Sequence, residues 1–394
     1  MVSRYRKSNR KSKVFEGIGA RAEIHLASVL LLRANIPSSF LAREVARGTG
    51  HDPNMRVPGE MSARIRSMEQ RYHLLRLLSD GHFYSGETLG SALGVGRSAI
   101  WKLARSLETM GIEVFAVRGK GYRLSAPMAL LERDRILAEV GPEAIGLLAD
   151  IEILPEVDST NNYLATRALE GARDGHACLA EYQSAGRGRR GRSWVSPFGA
   201  NIYLSVLRYF GALPDGPQGL SLAVGVATAS ALASVGISDV GLKWPNDLLW
   251  KNRKLGGILL ELVGEPGGHW QVVVGLGLNV NLPPESAKFI DQPWVDLKTM
   301  RGEIDRNRVA GRILRYLLLE LERFSQHGFA PFRSLWESHD VARDRPVVIK
   351  DLHRETRGLA RGVDDTGALL LSVDGQVRRI LSGDLSLRIE PDPL

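Results

Sequence analysis

The chain has 394 residues, 44% of them hydrophobic, with a formal net charge of +8 and a pI near 9.6. That length accommodates two to four domains with real cores, and the basic balance points to an anionic partner. The single cysteine, Cys178, excludes a disulfide framework and reads as a packed small residue. No uninterrupted apolar stretch is long enough to span a bilayer, and the apolar run at residues 24–32 is surrounded by charges and polar residues, unlike a signal peptide. The nine histidines are scattered without metal-ligand spacing, so no bound metal and a cytoplasmic location are expected.

Residues 1–67 read as a basic, poorly ordered extension. Arg4, Arg6, Lys7, Arg10, Lys11 and Lys13 precede an amphipathic segment at 20–34 and a polar Pro/Gly stretch at 48–59. Such an arm can bind nucleic acid; equally, translation can start at Met61 or Met68. From Met68 the periodicity sharpens. Tyr72, Leu75 and Leu78 share a helical face that Asp80-Gly81 ends, and Ser85 can cap a second short helix carrying Leu89 and Leu93. After the Gly94-Val95-Gly96 turn, a helix over 97–110 buries Ile100, Leu103, Leu107 and Met110 and stops at Gly111. This is a helix-turn-helix. Strands at 113–117 and 122–124 flank Arg118-Gly119-Lys120-Gly121, a wing with a basic tip. A small helical module for protein contacts is the alternative. The basic wing favours DNA, because recognition helices and wings meet phosphates and groove edges. The expected DNA-contacting residues of this 68–127 domain are Arg97, Ser98, Trp101, Lys102, Arg105, Arg118 and Lys120.

Pro127 and a helix at 130–140 lead into a larger domain, 128–340. A strand at 151–154 runs through Val157-Asp158 into Ser159-Thr160-Asn161-Asn162 and a helix to about 169. Those polar residues either cap the helix or bind a ligand at its start. A strand at 177–182 brings Gln183 to the entrance of Gly186-Arg187-Gly188-Arg189-Arg190-Gly191-Arg192, followed by Ser193-Trp194. Glycines let a backbone approach a ligand, and arginines offer planar forks for carboxylate and phosphate. The Gly-x-Gly-x-x-Gly spacing here is no dinucleotide fingerprint, since Ser196-Pro197-Phe198-Gly199 follows where a helix should open, and no Gly-Lys-Ser/Thr makes it a P-loop. Its setting between two apolar runs argues against a disordered arginine-glycine tail. An ordered anion-binding loop is expected, with Trp194 placed to cover a flat ring.

A strand at 201–208 and an alanine-rich helix at 221–235 follow. Lys243, Asn246 and Asp247 converge where the next strand breaks at Pro245; Lys254-Leu255-Gly256-Gly257 opens another strand, and a hairpin turn at 264–268 leads to 271–281. Glycines at 275 and 277 mark a strand that a ligand can approach. Strands with few helices between them imply a mixed sheet rather than a doubly wound one. Residues 283–300, with Trp294, read as a long loop of the kind that forms lids. Helices at 308–327 and 330–337 precede short strands at 347–349, 356–363, 368–373, 376–381 and 385–389, with hairpin signals at 364–367 and 374–375. The segment 341–394 is thus a small SH3-like β-barrel with no visible chemistry of its own, and the whole chain is α+β.

Four motifs in this order, the arginine loop, Lys243-Trp244-Pro245-Asn246-Asp247, Arg253-Lys254-Leu255-Gly256-Gly257-Ile258 and residues 275–281, resemble those of biotin protein ligases. With the winged helix-turn-helix in front, the chain resembles the bifunctional ligase and biotin-operon repressor family from Met68 to about Arg388. The resemblance implies a class II synthetase-like central sheet. It implies ATP with Mg2+, biotinyl-5′-AMP as intermediate and corepressor, and a biotin carboxyl carrier domain as acceptor. It also implies operator DNA with an inverted repeat and a ligand-linked homodimer. By the same resemblance Ser159, Thr160, Asn161 and Gln183 bind the ureido ring, while Arg187, Gly188, Arg189, Lys254 and Gly257 hold the carboxylate end. Arg189, Arg192, Trp194, Lys243, Asn246, Asn279 and Trp294 serve the adenylate, and Arg189, Lys254 and Asp247 the chemistry. Asp247 either accepts or orients the acceptor lysine's proton or is a structural turn carboxylate. A biotin sensor with little ligase activity and a lipoate-type ligase are the alternatives; the Ser-Thr-Asn run and the arginine loop fit a biotin ligase better.

Overall fold

A computed structural model describes residues 59–390 apart from 212, 214–215, 264–269, 352–353 and 384, with the side chains of 59–68 also outside it. The expected basic arm, the helix at 20–34 and the turn at 264–268 lie outside the described residues. The chain divides into two compact units between Pro127 and Met128.

The first unit contains α1 (Gly59–Leu78), α2 (Gly86–Leu93) and α3 (Arg97–Glu108), then β1 (Val114–Val117) and β2 (Gly121–Leu124). Ser85 caps α2 by accepting the Thr88 N–H at 3.0 Å. Leu74, Leu75 and Leu78 pack inside with Leu89, Ile100, Leu103 and Leu107; Met110, expected in this core, is only half-buried. The wing pairs Val114 with Leu124 and Val117 with Gly121, and Tyr84 adds a short third strand against Tyr122. Gly121 sits at φ +101°, and a Cβ there would lie 2.0 Å from the Tyr84 carbonyl oxygen, so the wing's root requires glycine.

The second unit is built on a seven-stranded sheet. Its strands are β3 (Asp150–Leu154), β4 (His176–Ala180), β5 (Ile202–Phe210), β6 (Gly241–Lys243), β7 (Asp247–Trp250), β8 (Arg253–Val263) and β9 (Trp270–Leu278), in the order β3-β4-β5-β9-β8-β7-β6. Only β3 and β4 are parallel, so the sheet is mixed. Side chains alternate between its faces. One face, with Leu204, Val206, Val274, Leu276 and Ile258, belongs to the apolar core with α6 (Leu220–Ser234) and α9 (Arg306–His327), which also packs on α4 (Arg133–Ile145). The other face carries Glu152, Cys178, Ser205, Gly275 and Leu259 in one cross-strand row. Over it lies α5 (Thr160–Leu169), held by Tyr163 Oη donating to Glu152 at 2.6 Å and by Ser205 Oγ donating to Asn161 Oδ1 at 2.6 Å. Cys178 is buried in this row, as its apolar run suggested.

The segment 283–300 is not the long structureless loop expected. It contains α7 (Pro284–Ala287) and α8 (Leu297–Arg301), and it is laced to β8: the Lys254 N–H donates to the Pro293 carbonyl (2.8 Å) and the Val295 N–H to the Lys254 carbonyl (2.9 Å). Periodicity missed this because a single rung of pairing leaves no repeating pattern. After α10 (Arg333–His339) comes a five-stranded antiparallel sheet of β10 (Pro346–Lys350), β11 (Glu355–Val363), β12 (Leu369–Val373), β13 (Gln376–Ile380) and β14 (Ser386–Ile389), ordered β13-β12-β11-β10-β14. Fully buried Trp244 donates its indole N–H to the Gly367 carbonyl at 3.2 Å, tying this sheet to the β6–β7 turn. Among the described residues no helix is long and apolar enough to cross a membrane.

Behind the site, Glu181 (fully buried) pairs with Arg306 (buried) and accepts the Leu131 N–H, while Arg306 donates to the Asn201 carbonyl at 3.1 Å. Asn307 accepts the Glu132 N–H at 2.7 Å, so residues 130–132 are fastened to the core from two sides. Glu181→Gln leaves a buried guanidinium without its counter-charge. It is expected to cost about 3–5 kcal/mol, read as a lowered urea midpoint for the second unit.

Candidate functional site

A cavity of about 1090 Å³ opens on the glycine-bearing face of the sheet. All sixteen residues expected from sequence to serve a ligand or the chemistry outside the winged unit line it: Ser159, Thr160, Asn161, Gln183, Arg187, Gly188, Arg189, Arg192, Trp194, Lys243, Asn246, Asp247, Lys254, Gly257, Asn279 and Trp294.

At one end stands the start of α5. Ser159 occupies the cap position yet makes no side-chain cap, which disfavours the reading of these residues as simple helix caps. Gln183 does the satisfying instead: its Oε1 accepts the Thr160 N–H at 2.9 Å and lies 3.2 Å from Thr160 Oγ1, while its Nε2 donates to Ser196 Oγ at 2.9 Å. Ser159, Thr160 and Asn161 are 2%, 4% and 4% exposed, so the pocket is lined by buried hydroxyls and amides. It suits a small uncharged group that both donates and accepts hydrogen bonds.

At the other end is the arginine loop. Its backbone closes on itself, with the Gly188 N–H donating to the Arg192 carbonyl (2.7 Å) and the Trp194 N–H to the Gly186 carbonyl (2.8 Å). Arg190 (φ 59°) and Gly191 (φ 70°) make the left-handed reversal. The arginines lean on protein acceptors. Arg187 pairs with Glu261 at 2.7 Å and donates to Asn162 Oδ1; Arg189 donates to Asn246 Oδ1 at 3.1 Å and to the Gly383 carbonyl; Arg190 reaches Ser386 Oγ at 3.3 Å. The Asn162, Asn246, Gly383 and Ser386 oxygens among these partners are neutral.

Between the two ends lies the floor of β8 and β9. A Cβ on Gly277 would come within 2.5 Å of the Trp194 indole, and one on Gly275 within 2.1 Å of Asn161 Oδ1. These glycines therefore make room for the site's own side chains, a more specific role than the general ligand approach expected from sequence. The Trp194 indole N–H is buried with no hydrogen-bond partner, and Lys254 Nζ stands 5.6 Å from the ring centre. Asn279 donates to the Val295 carbonyl at 3.1 Å, joining β9 to the strip that carries half-buried Trp294.

Asp247 lies between Lys243 Nζ and Lys254 Nζ, each 2.7 Å away. Burial would raise its carboxyl, but the charges of Lys254 and then Lys243 outweigh this and hold it at about 2. The five-stranded sheet also reaches the cavity through Lys350, Ser386 and Arg388, residues that the sequence reading did not single out. Those residues sit on two short strands, β10 and β14, which converge only after folding. Among the described residues no group of three or more His, Cys, Asp or Glu could hold a metal.

In the first unit, Arg97, Ser98, Trp101, Lys102 and Arg105 of α3 are exposed, as are Arg118 and Lys120 at the wing tip. Trp101 is 51% exposed, with Arg105 over its ring at 5.4 Å, and Arg97 pairs with Glu87 at 3.1 Å.

The HTH domain family matches residues 70–123, the biotin/lipoate A/B protein ligase family residues 153–279, and the biotin protein ligase C terminal domain residues 344–388. The chain is 44% identical over 318 residues to the bifunctional ligase/repressor BirA of Escherichia coli, covering 80% of this chain and 96% of that protein. It is 34% identical over 325 residues to the bifunctional ligase/repressor BirA of Bacillus subtilis, covering 80% and 98%. Among solved structures, the biotin protein ligase from Aquifex aeolicus in complex with biotin and ATP aligns with a TM-score of 0.54 at 28% identity, covering 62% of this chain and all of that one.

Because the Asp247 carboxyl is depressed from 3.8 to about 2, its contribution to stability is full above about pH 4 and is lost as pH falls through about 2. Asp247→Asn is expected to destabilise by about 2 kcal/mol at neutral pH. Urea unfolding across pH should show the gap between variant and parent narrowing only below about pH 4.

Proposed function

The chain belongs to the bifunctional biotin ligase/repressor family, and from that premise we propose how its own residues perform ligation and repression. The observation that carries the reading is one cavity with a neutral polar pocket at one end and a cationic loop at the other. Biotin has that polarity: an uncharged ureido ring and a carboxylate at the end of a chain. The ring is held by Ser159, Thr160, Asn161 and Gln183. The chain crosses Gly257, and its carboxylate reaches Arg187, the Gly188 backbone, Arg189 and Lys254. Trp194 covers adenine, with Asn279 and Trp294 closing that side, and Arg192, Lys243 and Asn246 face the phosphates.

In the first step a biotin carboxylate oxygen bonds to the α-phosphorus of ATP, and the bond to pyrophosphate breaks. Two anions must meet, so the cations do the work: each charge-assisted hydrogen bond contributes roughly 1.5–3 kcal/mol. Magnesium enters as the counter-ion of ATP. In the second step a lysine amine of a biotin carboxyl carrier domain attacks the acyl carbon, AMP leaves, and the amine loses a proton. A carboxylate held at about 2 is a poor base. Asp247 therefore orients Lys243, Lys254 and the incoming amine rather than taking the proton. Incubating the protein with labelled biotin, ATP and a carrier domain tests the reading; no label on the carrier would refute it. Arg189→Gly should shorten the half-life of bound adenylate and spread label onto bystander lysines, scored by mass spectrometry. Retention equal to the parent's would remove Arg189 from the phosphate.

The winged unit reads an inverted-repeat operator through Arg97, Ser98, Trp101, Lys102 and Arg105, with Arg118 and Lys120 on the backbone. Both activities need the cytoplasm, where ATP and DNA meet. Two half-sites call for a dimer. Adenylate that orders the arginine loop and the 283–300 strip would favour dimerisation, and linkage makes the effect reciprocal. The repressor is then adenylate-bound and dimeric when acceptor runs out. In operator titrations with biotin and ATP, the double variant Arg118→Ala/Lys120→Ala should weaken binding to all sequences alike and flatten the salt slope by about 2 per subunit. An unchanged slope would take the wing off the phosphates.

A further inference from the structure

Glu261 on β8 is outside the cavity lining and outside every role assigned above, yet it touches both ends of the site. Its Oε2 accepts from Asn161 Nδ2 at 2.8 Å, and its Oε1 pairs with Arg187 Nη2 at 2.7 Å. The carboxylate is only 22% exposed, against 46% for Arg187. Each oxygen is committed to a different element: one to the start of α5, one to the arginine loop.

The Asn161 amide is fixed by this contact. Its Oδ1 receives the Ser205 hydroxyl at 2.6 Å, and its Nδ2 also reaches the Leu259 carbonyl at 3.2 Å. Turning the amide over would set its oxygen against the Glu261 carboxylate, two acceptors facing each other. Gly275 leaves open the space the amide occupies, since a Cβ there would lie 2.1 Å from Asn161 Oδ1. Arg187 is fixed in the same way, one nitrogen on Glu261 and another on Asn162 of α5, while its fork retains donors for an anion.

We propose that Glu261 is a positioning residue that locks the ring-binding end of the site and the arginine loop to each other, so that biotin meets both in one fixed geometry. This rests on the ligase reading, since Glu261 itself touches no substrate. Glu261→Gln keeps the shape but replaces one accepting oxygen with a donor, so one of the two contacts must be lost. Biotin-dependent ATP–pyrophosphate exchange by the full-length protein measures KM for biotin and for ATP separately. The variant should raise the biotin KM about tenfold or more, the worth of one charge-assisted hydrogen bond, with a much smaller change in kcat and in the ATP KM. Because Glu261 acts through Arg187 as well as Asn161, adding Glu261→Gln to Arg187→Gln should raise the biotin KM by less than Glu261→Gln does alone. Equal rises in both KM values accompanied by a lowered Tm would show a merely structural role and overturn the proposal, as would strict additivity in the double variant. A parent with no biotin-dependent exchange would instead overturn the ligase reading, and this proposal with it.

Discussion

Close approach at the sheet surface is the constraint on which the site depends. The indole of Trp194 and the carboxamide of Asn161 occupy the space that side chains on Gly277 and Gly275 would need. A methyl group at either position would push a ligand-facing side chain off the floor. Pleating makes this possible, because the same strand that buries Val274 and Leu276 in the core turns residues 275 and 277 to the opposite face. Core and site are thus two faces of one strand, and the rigidity of the packed face supports the open one.

Charge is distributed over this floor with equal economy. The cavity gathers arginines and lysines, as two anionic substrates require, but close packing of cations without ligand would be costly. Asp247 relieves two lysines at once, each at 2.7 Å, and Glu261 relieves Arg187. Arg189 and Arg190 reach across to the C-terminal sheet at Gly383 and Ser386. The loop is therefore tied to α5, β8 and the last strands together, and not only to its own backbone.

The segment entering the second unit is held by a different kind of interaction. Leu130, Leu131 and Glu132 are hydrogen-bonded through their backbones to Asn307 and Glu181. Glu181 lies two residues before Gln183, which satisfies the start of α5. The first residues of the second unit are therefore fastened to the same stretch that shapes the ring pocket.

Much of this was legible in the residues themselves. Helical spacing and the Ser85 cap located the helix-turn-helix, and turn chemistry located the wing, because these patterns are local. The arginine loop announced an anion site, because four arginines and three glycines in seven residues have few other uses between apolar strands. Every expected ligand-site residue lines the cavity, because motifs at strand ends and helix starts converge whenever a sheet forms. Tertiary structure alone decided the rest. The 283–300 segment reads as a featureless loop until its short helices and its pairing with Lys254 are seen, and Lys350, Ser386 and Arg388 look like ordinary barrel residues until their strands dock beside the loop. Glu261 is one acid in an alternating strand; only folding puts Asn161, one hundred residues away in sequence, and Arg187 on its two oxygens. Local propensity acts within a few residues, whereas these contacts depend on strand register and side-chain direction, which are set by packing of the whole sheet.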